Sequence, residues 1–374
     1  MDFQLTEEER LIRDTAAQFV RRELISREGD YLRQRQPFLP PGDPPRRDLD
    51  REVRAGLEAL ARRAGLWLLE LPEAEGGAGI GAVARALVYR EFGRTILPFE
   101  PPALPGLLAG SRHAGDLASG KRSLALAFAE LHRTGAPDEV SLRFREVAGG
   151  YRLGNATVEL YGPPADLFLF PAREAGTRLP ALFLVPRDAP GLEVEEEGDL
   201  TTDTVIARVT FRDCTVPGDC RLGYEYEVAS VVAAEQLRIA ARCLGIGARC
   251  LNDAIEHARN RVTFGRPLAA RQAIQWMLAD LSVQLRACTW LTLEAAWRAD
   301  RGAPYFEAAA LAKKRAARTA FEAADVAIQI HGGYGVCKEL PFEGFYREAR
   351  MLRLLYGREA ELDRAAGERF LKGE

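Results

Sequence analysis

Histidine, cysteine and lysine are scarce in this sequence of 374 residues, and the way they are distributed excludes several kinds of site. The four histidines are scattered, and no two stand at the spacing of a metal-binding pair. The six cysteines include no Cys-x-x-Cys motif, and several occupy apolar helical positions, so reduced core thiols are expected. The sequence therefore predicts no metal site.

Long apolar runs and glycine-rich phosphate loops are also missing. No apolar run approaches the roughly 20 residues of a membrane span, and the acidic start lacks the apolar segment of a signal peptide, so a cytoplasmic protein is expected. No glycine-rich loop joins a strand to a helix, which argues against a nicotinamide dinucleotide fold and a P-loop. The net charge is -3 without basic blocks, so neither nucleic acid nor an anionic membrane is an expected partner.

The residues that are present indicate a mostly α-helical protein with a central β region. Hydrophobic residues make up 47% of the chain and charged residues 28%, enough for two or three domains with sizeable cores. Helices are predicted at about 6–26, 48–64 and 82–92. Thr6 and Glu9 form a capping box at the first of them, and the proline-dense stretch 37–45 is predicted to be a loop.

From about residue 121 the apolar period changes from helical to two-residue, and after residue 223 it returns to helical. Strands are predicted at 123–129, 141–147, 157–160, 166–170, 181–185, 191–196 and 204–211. In the last third, an apolar stripe for helix packing is formed by Ile274, Leu278, Leu281, Leu285, Cys288 and Leu291. We expect an N-terminal helical domain (1–120), a β barrel or sandwich (121–224) and a C-terminal four-helix bundle (225–374).

Three segments in fixed order carry a resemblance to a known family. They are a helix with Glu235, the block Arg-Val-Thr-Phe-Gly-Arg-Pro-Leu at 261–268, and Gln-Ile-His-Gly-Gly-Tyr-Gly at 329–335. With the helix–β–helix order of the chain, they resemble the acyl-CoA dehydrogenases, a family of flavoenzymes. The resemblance runs nearly end to end and is most specific from Arg261 onward.

The resemblance implies that two segments bind FAD. In the first, Arg261, Thr263 and Phe264 would meet the pyrophosphate and adenine side, with Gln272 following; a guanidinium fork suits phosphate oxygens. In the second, glycines would let the backbone approach the dinucleotide while an amide hydrogen-bonds to it, at Gln329, Gly332 and Gly333. A lone arginine capping a helix, or a double glycine ending one, is the plainer alternative for each segment taken singly.

The catalytic base that the resemblance implies is Glu235. Counting from Gly333, the usual glutamate of the family falls on Tyr356, followed by Gly357, and a phenol is a poor base at neutral pH. Glu235 stands where isovaleryl- and long-chain-type members carry their base. The bland alternative is a helical glutamate facing solvent, but the apolar residues around Glu235 favour a desolvated carboxylate suited to taking a proton.

In the β region the sequence departs from the family pattern. The flavin and substrate loop reads Ala129-Glu130-Leu131-His132, and Leu160 stands in the strand that usually offers side chains beside the flavin. Hydroxyl contacts to the flavin ring are lost at Ala129 and Leu160, although backbone amides set by strand geometry can replace them.

Distance along one helix predicts an oligomer. If a helix continues from Glu235 to near Arg261, its rise of 1.5 Å per residue puts them about 39 Å apart, too far to serve one flavin. Arg261 would then reach a flavin held mainly by a neighbouring subunit, in agreement with the usual tetramer of the family.

Three functions stay open at this point. The first is an FAD-dependent acyl-CoA dehydrogenase that converts an acyl-CoA to a trans-2-enoyl-CoA, passes electrons to an electron-transfer flavoprotein and forms a homotetramer. The second is a catalytically silent subunit of a heterotetramer that completes the flavin site of a partner. The third is an oxidase or monooxygenase on the same scaffold.

Overall fold

A computed structural model describes residues 4–34, 49–103, 106–134, 140–162, 165–177, 179–199, 202 and 205–372. The chain divides into two compact units. The helical unit comprises the described residues of Met1–Leu69, Ile80–Pro102 and Gln236–Leu352, and the mixed unit those of Glu70–Gly79, Ala103–Glu235 and Arg353–Glu374. The described chain is mostly helical with a central β region, which confirms the predicted fold class. The domain boundaries predicted after residues 120 and 224 stay a prediction.

The helices of the described chain begin and end as follows: α1 (Glu7–Phe19), α2 (Glu28–Gln34), α3 (Arg51–Arg63), α4 (Ala82–Phe92), α5 (Ala114–Ala118), α6 (Ala129–Thr134), α7 (Glu225–Asn260), α8 (Gln272–Asp300), α9 (Phe306–His331), α10 (Phe342–Leu352) and α11 (Glu359–Lys372). The predicted helix 82–92 is confirmed to the residue. The helix predicted at about 6–26 is confirmed as one continuous helical stretch, in which α1 passes into a π-helical turn at Val20–Leu24 and a 3-10 turn at Ile25–Arg27. The loop predicted at 37–45 lies outside the described residues.

The ends of two helices are capped in different ways. The capping box of α1 is confirmed: the Glu9 N–H donates to the Thr6 hydroxyl at 3.1 Å, and the Thr6 N–H donates to the Glu9 carboxylate at 2.8 Å. Helix α4 follows Gly81, which has no side chain to cap it. Asp300, at the end of α8, instead accepts from the N–H groups of Ala82 and Val83. A carboxylate there also complements the positive end of the helix dipole.

Small residues allow the long helices of the helical unit to approach one another closely. A Cβ at Gly245 of α7 would lie 2.1 Å from the Arg90 carbonyl oxygen of α4, and one at Gly247 would lie 2.4 Å from a methyl of Leu285 in α8. Helix α8 buries Leu281, Leu285 and Cys288, as its predicted apolar stripe requires. Leu291 is an exception, since 40% of it is exposed. The α7–α10 helices form the bundle predicted for the C-terminal region.

The strands run in chain order as β1 (Leu124–Leu126), β2 (Arg143–Val147), β3 (Gly150–Leu153), β4 (Ala156–Tyr161), β5 (Leu167–Glu174), β6 (Pro180–Pro186), β7 (Leu192–Asp199), β8 (Val205–Phe211), β9 (Cys214–Pro217), β10 (Arg221–Gly223), β11 (Val262–Thr263) and β12 (Arg266–Pro267). Within the described chain, one sheet has the order β10-β6-β5-β2-β3-β9, with β1 paired to β5, and a second has the order β4-β8-β7. The pairs β1–β5 and β2–β5 are parallel.

Both sheets of the mixed unit contribute to one apolar core, so the region is a sandwich. Phe170 of β5 meets Phe211 of β8 edge to face, with ring centroids 4.9 Å apart. The strand predicted at 123–129 is wrong at its end, because β1 stops at Leu126 and Ala129 begins α6. Three short strands of this unit, β3, β9 and β10, were not predicted, and neither was the β11–β12 pair of the helical unit.

Two predictions about buried and apolar residues can be compared with this fold. Five of the six cysteines are buried and all six are free thiols, as expected for core residues. Burial raises the pKa of the Cys214 thiol to about 11, so this thiol stays protonated at neutral pH. Among the helices that the structure describes, none is both long and apolar enough to cross a bilayer.

Candidate active site

Glu235 is a buried carboxylate on α7. Only 4% of its surface is exposed, and the neighbouring helical residues Val231, Val232 and Leu237 are buried as well. Helix α7 is unbroken from Glu225 to Asn260, as the predicted oligomer geometry requires. Buried carboxylates are rare in proteins unless they are paired or functional. The solvent-facing alternative for Glu235 is therefore wrong.

Tyr356 lies in a strained turn between α10 and α11. Its φ of 49° is left-handed, a conformation that is costly for a residue with a large side chain, and Gly357 follows with a φ of 101°. Arg353 and Glu359 close the turn through two hydrogen bonds of 2.6 and 3.0 Å. Tyr356 is only 5% exposed. Its ring is therefore fixed in the interior by the turn and not free in solvent.

Ala129 and Leu160 come from neighbouring elements of the mixed unit. Helix α6, which starts at Ala129, packs against β4, which carries Leu160. Phe128, next to Ala129, contacts Tyr356 with ring centroids 6.2 Å apart. The Leu160 side chain is buried in the sandwich core. The structure thus brings the Tyr356 turn, the start of α6 and β4 into one neighbourhood.

In the helical unit, Arg261–Leu268 forms a hairpin at the end of α7. Strands β11 and β12 pair antiparallel, and the two turn residues, Phe264 and Gly265, have φ values of 49° and 79°. Positive φ at both turn positions is the mark of a type I′ turn, which asparagine and glycine adopt easily and phenylalanine does not. The Phe264 side chain is 98% exposed. The turn therefore presents an aromatic ring to solvent at a cost in backbone conformation, which favours a binding role over a purely structural one.

Arg271 holds this hairpin in place. Its guanidinium donates to the Thr263 carbonyl at 2.9 Å and to the Thr263 hydroxyl at 3.1 Å, and it lies 5.5 Å from the centre of the Phe264 ring. Gln272 follows as the exposed first residue of α8. Arg261 is also exposed, and no carboxylate among the described residues forms an ion pair with it. Its guanidinium is therefore available to an anion.

The second predicted flavin segment is an exposed turn after α9. Gln329, Gly332 and Gly333 are all exposed. Gly332 has a φ of 64°, and a Cβ at Gly332 or Gly333 would meet nothing within 4 Å. The turn thus offers bare backbone to a ligand.

Two histidines connect the two segments. His257, near the end of α7, stacks on His331, the last residue of α9, with ring centroids 4.1 Å apart. The His331 Nδ1 lies 2.7 Å from the Ala327 carbonyl oxygen, which can only accept, so Nδ1 carries the proton. Burial lowers the pKa of His257, and His331 and Arg261 lower it further. The stack brings the end of α7, where the Arg261 hairpin begins, beside the Gly332 turn within the helical unit.

These residues fit a nucleotide cofactor. The two turns supply an unpaired arginine, exposed backbone at Gly332 and an exposed amide at Gln329, which are the donors that a pyrophosphate accepts. The fit depends on exposed backbone and on an arginine without an acidic partner, features that a purely structural helix end does not require.

Comparison with known proteins gives the family. A model described as "Acyl-CoA dehydrogenase, C-terminal domain" matches residues 225–369, and one described as "Acyl-CoA dehydrogenase, N-terminal domain" matches residues 6–108. The chain is 30% identical to an acyl-CoA dehydrogenase of Bacillus subtilis, over 83% of this chain and 87% of that one. The chain belongs to the acyl-CoA dehydrogenase family. It is accordingly an oxidoreductase that acts on the CH–CH group of acyl-CoA thioesters in a family of flavoproteins.

Two further similarities concern a relative and a fold. The chain is 29% identical to a benzylmalonyl-CoA dehydrogenase of Aromatoleum aromaticum over 94% of both proteins. A solved chain from the ChsE4-ChsE5 complex of Mycobacterium tuberculosis superposes with a TM-score of 0.80 at 24% identity, covering 99% of both chains. At that identity the structural similarity shows the acyl-CoA dehydrogenase fold alone.

Two features of this acyl-CoA dehydrogenase were missed by sequence reasoning. Arg271 was not singled out, because a single arginine next to a helix start carries no distinctive pattern. The type I′ turn was missed because Phe264 is not a residue that signals it. The Arg-Pro pair that follows the turn and the return to helix at Gln272 are the signals from which a tight hairpin could have been inferred.

Proposed function

We propose that this acyl-CoA dehydrogenase uses FAD and Glu235 to desaturate an acyl-CoA between its α and β carbons, giving a trans-2-enoyl-CoA. The α-proton passes to the Glu235 carboxylate, and a hydride leaves the β-carbon with the electron pair of its C–H bond. Bound FAD supplies the two-electron acceptor for that hydride. An electron-transfer flavoprotein is the proposed partner that takes the electrons onward.

The observation that supports this proposal most directly is the burial of Glu235. Removing the weakly acidic proton beside a thioester carbonyl calls for a carboxylate shielded from water. Glu235 is 4% exposed among apolar helical neighbours, while the usual position of the base is occupied by the buried phenol of Tyr356. The thioester carbonyl oxygen, on which negative charge develops, is proposed to accept a hydrogen bond from the backbone N–H at Tyr356, as the family resemblance implies.

The hairpin and glycine turn of the helical unit are proposed to hold the cofactor. Arg261 would bind the pyrophosphate, with the Thr263 hydroxyl as a further donor, and Phe264 would lie against the adenine side. Arg271 fixes the Thr263 backbone and side chain, so it positions the hairpin instead of meeting the phosphate itself. Gln329, Gly332 and Gly333 would contact the dinucleotide through the side-chain amide and the backbone.

The test of the base is a Glu235→Gln variant. Purified protein with bound flavin should be yellow, and acyl-CoA should bleach the colour under anaerobic conditions. Glu235→Gln should keep the colour and lower the bleaching rate about 1000-fold, because general-base catalysis typically contributes 100- to 10,000-fold. Glu225→Gln, an exposed change on the same helix, is the matched control. Bleaching at the normal rate in Glu235→Gln rejects Glu235 as the base.

The exposed face of α8 supports a tetramer as the working form. Four large apolar residues recur every seven positions on this helix and are all at least half exposed: Trp276, Val283, Trp290 and Trp297. A seven-residue apolar spacing is the pattern of helices that pack along their length, and an apolar stripe of this size is unusual on a lone chain. The opposite face of α8 is already buried in its own unit. A second copy of this chain is the proposed occupant.

A charge placed in this stripe should separate the subunits. Val283→Lys should lower the molar mass measured by light scattering and weaken flavin retention, because Arg261 is proposed to reach a neighbouring subunit's flavin. Glu8→Lys, an exposed change on α1, should leave the mass unchanged. A single-chain mass for the unmodified protein with full flavin content would contradict the tetramer.

A silent subunit of a heterotetramer is the second candidate. The observation in its favour is the mixed-unit neighbourhood, where Tyr356, Ala129 and Leu160 replace the groups that usually meet substrate and flavin. The solved relative from Mycobacterium tuberculosis is, by its title, part of a two-protein complex. The two candidates differ in flavin content: one FAD per chain in the protein purified alone supports the first, and colourless protein that gains flavin only with a partner supports the second.

A further inference from the structure

Four arginines lie together on one face of the larger sheet of the mixed unit. Strand pairing places two of them directly opposite each other on β2 and β3 and sets a third beside its neighbour on β5. Phe144 and Leu153, which alternate with them along β2 and β3, point into the sandwich core, so the arginines point away from it. We call these four residues the arginine face: Arg143, Arg145, Arg152 and Arg173.

The positive charges of the arginine face are not balanced by the part of the chain that the structure describes. None of the four guanidinium groups forms an ion pair with a described carboxylate, and Arg143 and Arg145 are exposed. Arg173 donates through Nε to the Val140 carbonyl oxygen at 2.9 Å, which is a neutral partner. The Nε of Arg152 is buried and has no hydrogen-bond partner among the described residues. The arginine face therefore has charge and hydrogen-bonding capacity that the described fold does not use.

This arrangement of charges works against the stability of the sheet. Residues directly opposite each other, such as Arg145 and Arg152, have Cβ atoms about 5 Å apart, and like charges at that separation are destabilising. The second sheet of the same unit avoids this cost. There, Arg208 of β8 lies between Glu159 of β4 and Glu195 of β7, so opposite charges face each other on both sides. Because the unit pairs cross-strand charges on one sheet and opposes them on the other, we expect the arginine face to serve a function other than stability.

The spacing of the arginines fits an extended acidic segment. Arg143 and Arg145 are two residues apart on one strand, which separates them by about 7 Å. In an extended peptide the side chains of residues i and i+2 lie on the same side with the same separation. A guanidinium group binds a carboxylate through two parallel hydrogen bonds, and arginine is enriched at protein interfaces. A segment with Asp or Glu at alternate positions can therefore place one carboxylate over each arginine of β2.

The surroundings of the arginine face favour a protein segment over nucleic acid. Glu146, Glu174 and Asp213 border the arginine face and are exposed, so the basic surface ends within a few residues. The whole chain has a net charge of -3. A phosphate backbone requires basic surface that continues along its length, whereas a short acidic segment requires only the four arginines.

We propose that the arginine face docks an extended acidic segment of a partner protein, whose carboxylates pair with Arg143, Arg145, Arg152 and Arg173. Because the ion pairs form at an exposed surface, the complex is weak and sensitive to salt. None of these arginines has a part in the proposed desaturation or in the proposed binding of FAD. The docking surface is therefore independent of the proposed function.

Fluorescence anisotropy of labelled probes tests the docking on the full-length protein. The first probe is a peptide of alternating threonine and glutamate with about four glutamates, the second is its glutamine counterpart, and the third is an oligothymidine of equal charge. The glutamate peptide should bind saturably with a Kd on the order of 100 µM at low salt, since each exposed ion pair contributes little. The glutamine peptide should not bind. Absence of saturable binding by the glutamate peptide overturns the proposal, and tighter binding of oligothymidine overturns it in favour of nucleic acid.

The variant Arg145→Glu separates docking from stability. Its carboxylate would face Arg152 across the strands, so the melting temperature should rise by about 1–2 °C. Binding of the glutamate peptide should weaken at least about tenfold, because one arginine is lost and the one opposite is neutralised. Lys121→Glu is the matched control: it makes the same charge change at an exposed position before β1, which pairs with the far end of β5 from Arg173. It should leave the peptide affinity within about twofold.

Two results for these variants would overturn the proposal. If Arg145→Glu keeps the peptide affinity, or if Lys121→Glu loses as much of it, the peptide does not bind at the arginine face. If Arg145→Glu lowers the melting temperature, the two arginines do not oppose each other as the strand pairing requires, and the reason for expecting a partner is removed.

Discussion

The two units of this acyl-CoA dehydrogenase handle charge in opposite ways. In the helical unit, buried ionic groups are paired: the Glu28 carboxylate meets Arg249 at 3.0 Å, and Arg242 contacts Glu100 and Glu348. In the mixed unit, the sandwich core is apolar and aromatic, built from residues such as Phe144, Phe170 and Phe211. In the helical unit the buried charges therefore stabilise the fold through ion pairs. The charge that we assign to FAD binding lies instead at an exposed turn.

Two residues that differ from these patterns carry the proposed function. Arg261 lies at an exposed hairpin and has no acidic partner in the described chain, unlike the buried Arg242 and Arg249. Glu235 is a buried carboxylate at the edge of a unit whose core is otherwise apolar. A residue that departs from the packing rule of its surroundings is where function is expected.

The largest structural effect that sharpens this comparison is expected at the Glu28–Arg249 pair. Glu28 is 5% exposed and also accepts from the Thr95 hydroxyl at 2.8 Å and the Ile96 N–H at 3.2 Å. Burial alone would lower the pKa of Arg249, but Glu28 and Asp253 raise it, so the guanidinium stays charged. Arg249→Met should therefore lower the free energy of unfolding by about 3–5 kcal/mol, because it leaves a buried carboxylate unpaired.

Chemical denaturation measures this change, and the double variant Glu28→Gln with Arg249→Met separates pairing from packing. The double variant should be more stable than Arg249→Met alone, since removing both charges leaves no unpaired ion. If Arg249→Met costs less than about 1 kcal/mol, the pair is no better than a surface ion pair and the contrast between the units fails.

A smaller loss is expected from the apolar unit. Leu160 of β4 is 1% exposed within the sandwich core, and Leu160→Ala should cost about 3 kcal/mol through lost burial and a cavity. Leu192→Ala, at a partly buried position against the same core, should cost less. The two variants are compared by thermal unfolding. A loss at Leu192 equal to that at Leu160 would contradict the placement of the core.

The helices were predicted from sequence better than the strands, for physical reasons. Helix α4 and the capping box at Thr6 follow from local rules that operate within one or two turns. The short strands β3, β9 and β10 depend on pairing with distant partners, such as Leu153 with Cys214, which no local pattern encodes. Ala129 continues an apolar run after β1, but the chain turns there into α6.

The candidate site was predicted unevenly for the same reason. The motif around Arg261 and the glycines at 332–333 identified the two predicted flavin segments, and the sequence pattern placed both segments at helix ends. Their proximity through His257 and His331 depends on the packing of α7 against α9, which motif spacing does not provide. The wide exposed face of α8 was missed because the apolar stripe through Leu281 and Leu285 accounted for one face only.

The smallest expected effect concerns the pH dependence of the two units. The pKa of His257 in the helical unit is lowered first by burial and then by His331 and Arg261, and that of His113 in the mixed unit first by burial and then by Arg112. A histidine with a lowered pKa binds fewer protons when folded than when unfolded, so it destabilises the fold as the pH falls below its ordinary value of 6.5. Both rings are half-buried, so the effect is modest.

His257→Phe keeps an aromatic ring against His331 and removes one titrating group. The fall in melting temperature between about pH 7.5 and about pH 5.5 should therefore be smaller in His257→Phe than in the unmodified protein. His113→Gln removes the corresponding titrating group from the mixed unit. It should likewise reduce the fall in melting temperature between the two pH values. A steeper fall in His257→Phe than in the unmodified protein would contradict the lowered pKa of His257.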